Sequence, residues 1–122
     1  MSDAHEEIQA PAVVPEPGFY YHYKHDPDGP VNNYAYYILG TGHHTEDDAR
    51  PEDKFMQVYM PLYESPVYRL GKMFDLRPLD MAVGNVTEKA DYAGPRFIKI
   101  EDAAVITELQ EIARKMYGPW AW

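Results

Sequence analysis

Eleven prolines and eight glycines are spread along a chain of 122 residues, and no other feature constrains the fold as strongly. Proline lacks an N–H donor and glycine is a poor residue inside helices and strands, so the chain must be assembled from many short elements joined by turns. The length suits one domain around one core. A hydrophobic content of 45% is enough for a packed interior. Tyrosine outnumbers phenylalanine eleven to four. That bias favours strands, where the ring packs and the hydroxyl reaches water or a partner.

The order of the pieces follows from periodicity. Residues Met1 to Pro17, acidic and broken by Pro11, Pro15 and Pro17, read as a flexible tail with Val13 and Val14 available to dock. Phe19 to Lys24 alternates, with Phe19, Tyr21 and Tyr23 on one face and Tyr20, His22 and Lys24 on the other. The turn signal Asp26-Pro27-Asp28-Gly29-Pro30 then predicts a hairpin to a second strand over Tyr34 to Gly40. A polar loop, His43 to Asp53, leads to a third strand over Phe55 to Tyr63, which Pro61 ends or places at an edge. Val67 to Leu70 and Met73 to Leu76 are short apolar pieces around Gly71, Val83 to Thr87 reads as another strand and Phe97 to Ile100 as the last. Arg77 to Met81 reads as a helical turn with Pro78 in its first positions. From Asp102 the period becomes helical. Asp102 is the expected N-cap, Gly118-Pro119 the stop, and Val105, Ile106, Leu109, Ile112, Ala113 and Met116 form one stripe. Glu111 stands four residues before Lys115, a favourable helix pair. Trp120 and Trp122 follow the stop and are expected to dock or to form a subunit contact.

The expected fold is therefore mainly β: a small SH3-like barrel or roll over residues 18–100, preceded by the tail 1–17 and followed by a C-terminal helix and Trp-containing tail over 101–122. Phe19, Ile38, Val58 and Phe97 are expected to share its single interior. A net charge of −9 disfavours a grip on nucleic acid, which depends on lysine and arginine displacing counterions. The chain has no cysteine, which excludes disulfides and thiolate chemistry and agrees with a reducing cytoplasm. Neither a signal-peptide pattern nor a membrane-length apolar run is present, so a cytoplasmic protein away from membranes is expected.

Five motifs in order resemble a family of uncharacterised bacterial proteins, the domain of unknown function 1653 family. They are Gly18-Phe19-Tyr20-Tyr21-His22-Tyr23-Lys24; Tyr37-Ile38-Leu39-Gly40 with His44-Thr45-Glu46; Val58-Tyr59 with Leu62-Tyr63; Arg77-Pro78-Leu79-Asp80-Met81; and Pro95-Arg96-Phe97 with Ile100. The resemblance spans Gly18 to about Ile100 and implies a compact SH3-like β-roll. It implies no activity, because the family carries none that is established. The chain departs from the family at Ala82, where phenylalanine is usual, and at His43, where arginine is frequent. The loops at 47–54, 64–74 and 88–94 also differ.

Three groups of residues could carry chemistry. His22, His44, Glu46 and Arg77 are the candidate catalytic residues: an imidazole can move protons near neutral pH, Glu46 could orient it, and Arg77 could hold a carboxylate or phosphate. The bland alternative is that the histidines satisfy backbone or tyrosine groups while Arg77 pairs with Glu46 or Asp80. His43, His44, Glu46, Asp47 and Asp48 include metal-ligand types but lack a known ligand spacing, so neither metal nor cofactor is expected. The third group is aromatic, with Tyr20, Tyr21, Tyr23, Tyr34, Tyr36, Tyr37, Tyr59 and Tyr63 divided between sheet packing and an outward binding surface.

The leading expectation is a noncatalytic binding module for a peptide, a protein partner or a small anionic ligand. Its binding residues would be drawn from Tyr20, His22, Tyr37, His44, Thr45, Glu46, Arg77 and Arg96. A small hydrolase-like enzyme is the rival, and it requires His44, Glu46 and Arg77 to converge in one cleft. The third reading is a homo-oligomer held by the C-terminal helix and tryptophans.

Overall fold

Glycine and proline set the boundaries of nearly every element in the computed structural model, which describes residues 14–46, 48–63, 74–86 and 93–118. Strand β1 runs Gly18–His22, β2 Ala35–His43, β3 Phe55–Pro61 and β4 Asp75–Pro78, followed by a short helix α1, Leu79–Val83. The two-residue strands β5, Asn85–Val86, and β6, Gly94–Pro95, pair with each other. Strand β7, Phe97–Lys99, and helix α2, Ala103–Tyr117, complete the order. The main sheet has five antiparallel strands in the order β4-β3-β2-β1-β7.

The protein is thus mainly β with a C-terminal helix, and a small roll describes it loosely. Among the described residues the sheet is open rather than closed, with β4 at one edge and β7 at the other. The single interior expected from the sequence is also corrected: apolar side chains gather on both faces of the sheet. Phe19, Ala35, Leu62 and Ile100 pack with Leu109 and Ala113 of α2 on one face. Tyr20, Tyr36, Ile38, Tyr59 and Phe97 pack with Ala82 of α1 on the other. Phe19 and Ile38, expected to meet, belong to different clusters, and Val58 is only half-buried.

Helix α2 follows its sequence signals. The Asp102 carboxylate accepts from the backbone N–H groups of Ala104 and Val105 at 2.9 and 3.2 Å, which satisfies two donors that a helix start leaves open. Gly118 stops the helix with φ 87°, a conformation that glycine adopts without a Cβ clash. Glu111 pairs with Arg114 at 3.6 Å, one turn on, rather than with Lys115. At the helix end the Tyr117 hydroxyl donates to the Pro61 carbonyl at 2.7 Å and ties α2 to the end of β3.

Pro61 ends β3, as its missing N–H dictates. Tyr34 belongs to the turn before β2 and holds a positive φ of 53°. Of the expected tail only Val14 to Pro17 is described. Val14 does not dock and is 47% exposed, whereas Glu16 accepts from the Tyr20 hydroxyl and pairs with Lys99. Val13, the apolar piece Val67 to Leu70, and Trp120 and Trp122 lie outside the described residues.

Candidate functional site

A β-bulge decides which side chains share the α1 face. The β2–β3 register runs Tyr36↔Pro61, Tyr37↔Met60, Ile38↔Tyr59, then skips Leu39 and resumes at Gly40↔Val58, Thr41↔Gln57. Strict alternation from Ile38 would send Thr41 to the α2 side. The extra residue reverses the phase and turns Thr41 to the same side as Gln57. Gly40 accommodates the irregularity with φ 152°. The next pair outward is Gln57↔Arg77. Thr41, Gln57 and Arg77 therefore form a row across three strands, with in-register neighbours about 5 Å apart at Cβ.

This row is electrically incomplete. Thr41 Oγ1, Gln57 Nε2 and Oε1, and Arg77 Nε are all buried without a hydrogen-bond partner among the described residues. Gln57 is wholly buried, at 0% exposure. Each such group costs about 1–3 kcal/mol when no partner replaces water. A pocket of about 190 Å³ opens beside it, lined by Gln57, Tyr20, Ile38, Ala82, Val83, Pro95, Phe97 and Pro15. Strands β1, β2, β3 and β7 make its floor, and α1 and β6 contribute Ala82, Val83 and Pro95 above. Gln57 is the amide of an otherwise apolar and aromatic wall.

The aromatic cluster continues from the pocket. Phe97 meets Tyr36 at 5.6 Å, Tyr59 at 5.8 Å and His22 at 5.4 Å between ring centroids, all edge to face. The Tyr36 and Tyr63 hydroxyls share a hydrogen bond of 2.8 Å. Burial and that bond hold the Tyr36 hydroxyl protonated far above the usual tyrosine range. Edge-to-face packing of this kind is what an interior uses to fix a strand pairing.

His22 sits at the rim of this cluster. The Lys24 N–H donates to its Nδ1 at 3.2 Å, so the neutral ring carries its proton on Nε2. Burial, and then the positive charges of Arg96, Lys24 and Arg77, push its pKa down to about 4. An imidazole so depressed is neutral at pH 7 but too weak a base to shuttle protons there.

The other expected site residues divide between the two faces. His44 and Thr45 line a groove of about 370 Å³ with Gly42, Met56, Val58 and Leu76. Met56 and Val58 alternate with Gln57 along β3, so this groove lies on the α2 side of the sheet. Glu46 is exposed and offers its backbone carbonyl to Ala49. Among the described residues, no hydrogen bond or ion pair joins His44, Glu46 and Arg77. His44 lines that groove without Glu46 or Arg77, and Arg77 stands across from Gln57 on the α1 side. Arg77 also pairs with neither Glu46 nor Asp80, contrary to the bland alternative.

Tyr37 is likewise on the α2 side, edge-on to Phe19 at 4.9 Å. Arg96 Nε donates to the Met81 carbonyl at 3.1 Å, and the Arg96 N–H donates to Gly84, so this residue anchors the end of α1. Tyr20, His22 and Arg77 remain on or beside the α1 face. Asp47 lies outside the described residues, and among those described no three His, Asp or Glu side chains are placed to hold a metal ion. No described helix is long and apolar enough to cross a membrane.

Sequence reasoning missed Gln57 and Thr41. The only signal for Gln57 was a polar residue between Phe55 and Tyr59, which reads as an outward position on a half-buried strand. Thr41 gave no signal, since its face depends on the bulge. Comparison with known proteins finds no matching family, no similar curated protein and no similar solved structure.

Proposed function

We propose that this protein is a noncatalytic binding module that takes a small anionic ligand on the α1 face of its sheet. The observation that carries the reading is the Thr41–Gln57–Arg77 row, four buried polar atoms without partners, whose middle residue, Gln57, lines an open pocket. A guanidinium next to an amide and a hydroxyl is a donor set for a carboxylate or phosphate. The small, largely apolar pocket suits a small molecule better than an extended peptide, which needs a free strand edge or a long groove.

Kinship with the domain of unknown function 1653 family belongs to the same proposal. Its support is that two motifs on which the resemblance rests are in contact, Arg96 of one donating to Met81 of the other. The Pro95-Arg96-Phe97 motif borders the pocket through Pro95 and Phe97. A cytoplasmic setting belongs to the proposal too, on the absence of cysteine.

Titration with benzoate, a planar carboxylate, tests the function by amide chemical shifts. Signals of Thr41, Gln57 and Ala82 are expected to move in the wild type and to stay still in Arg77→Gln. Shifts confined to the α2 side, or equal in both proteins, would refute the assignment.

A further inference from the structure

Strand β4 has a neighbouring strand on one side only among the described residues. The direction of its free backbone groups follows from Pro78. This residue pairs with Met56 although it has no N–H to give, so that pair is of the non-hydrogen-bonded kind. Alternation then makes Arg77 and Asp75 exchange bonds with β3 and turns the N–H and C=O of Leu76 outward. The Leu76 side chain is 61% exposed, the highest value among the described large hydrophobic residues. It stands beside Met56 and Val58 on the groove of the α2 side. An edge strand that combines a free backbone with an exposed apolar side chain is a template for another strand. The opposite edge is guarded differently: β7 carries Lys99, which pairs with Glu16 at 3.3 Å.

We infer that two copies of this chain join β4 to β4 about a twofold axis at Leu76, making one continuous sheet. The inference is independent of the proposed ligand site. When two antiparallel strands are related by a twofold axis, one residue stands opposite its own copy. An axis at Asp75 or at Arg77 would set like charges face to face, and one at Pro78 would offer no donors. An axis at Leu76 sets Leu76 against Leu76, and the Asp75 of each copy against the Arg77 of the other. Each Leu76 N–H then donates to the Leu76 carbonyl across the axis. The two Asp75–Arg77 pairs are of the non-hydrogen-bonded kind, in which side chains stand closer. They project to the α1 face, while the Leu76 side chains project to the α2 side and bring the two apolar grooves together. Strand β7 lacks this self-complementarity, since an axis at Ile98 would set Phe97 against Lys99. So short a contact, between chains of net charge −9, makes a reversible dimer rather than a permanent one.

Sedimentation velocity of the full chain tests this at pH 7 and about 0.15 M salt, where exposed charges more than about 8 Å apart are largely screened. Between about 10 µM and about 1 mM the wild type is expected to shift from monomer toward dimer. Leu76→Lys sets two ammonium groups against each other at the axis and should weaken association at least about tenfold. Asp75→Arg and Arg77→Asp each place like charges across the axis, so each variant alone should stay monomeric where the wild type dimerises. An equimolar mixture of the two should associate again, because every cation of one copy then meets a carboxylate of the other. That recovery also shows that neither loss came from misfolding. If either charge variant does misfold, Leu76→Lys decides the case, since its position is largely exposed. A wild type that stays monomeric at about 1 mM, or association that survives Leu76→Lys, would overturn the inference. So would a mixture of two natively folded charge variants that fails to associate. Association lost in a Trp120→Ala, Trp122→Ala double variant but kept in Leu76→Lys would assign the contact to the C-terminal tryptophans instead.

Discussion

Gln57 shows how far a single residue can depart from what its neighbours imply. An alternating strand invites the reading that a polar residue points to water, yet this one is fully buried with both polar atoms unpaired. Its burial comes from α1 and β6 closing over the sheet, elements too short for periodicity to place. An unpaired buried amide is a stability liability, so Gln57→Met should stabilise the ligand-free protein by about 1–2 kcal/mol. The urea midpoint should rise without a change in slope; a fall would mean that the amide already has a partner. His22 gives a second prediction. Its folded pKa of about 4 lies below the ordinary value of 6.5, so between those values the unfolded chain binds the extra proton. Stability is complete above about pH 6.5 and declines as pH falls toward 4. The ring is half-exposed, so solvent screening reduces the effect to about 1–2 kcal/mol. Unfolding curves at pH 7 and pH 4.5 should show a smaller drop for His22→Gln than for the wild type, and an equal drop would remove His22 from the acid response.

Elements with local signals were legible; elements placed by tertiary contact were not. Asp102 and Gly118 bracket α2 because capping is a property of a few adjacent residues. The Phe19–Lys24 alternation separated Phe19 and Tyr21 from Tyr20 and His22, and the two clusters keep that division. The bulge at Leu39 was not legible. A glycine at 40 permits it, but only the pairing with β3 shows which residue is left over. The place of Arg77 opposite Gln57 was not legible either, since the pairing of β3 with β4 sets it. For α2, Asp102→Ala should cost about 1 kcal/mol through the two lost cap bonds. Asp102→Asn should recover most of it, because its side-chain oxygen can still accept. Thermal unfolding of the two variants checks this, and equal losses would show that charge rather than the cap bonds matters.

For the molecule as a whole, the consequence of an open sheet is that β1, β2 and β3 serve two interiors at once. The residues of the α2-side cluster and those of the α1-side cluster do not overlap. Strand backbones transmit little between opposite faces as long as the register holds, because each side chain packs only against its own side. Ile38 and Leu109 are both fully buried, one in each cluster. Ile38→Val should cost about 0.5–1.5 kcal/mol and Leu109→Ala about 2–5 kcal/mol. With no shared partners, the double variant should match their sum to within about 0.5 kcal/mol. Urea unfolding of the four proteins gives the coupling directly. A larger coupling would mean that the sheet deforms under loss of α2 packing, and the pocket beside Gln57 would then respond to changes on the far side. Additivity would mean that the α1 face keeps its shape independently of the helix. In that case Leu109→Ala, although much less stable, should bind probes in the Gln57 pocket as the wild type does at temperatures where both are folded.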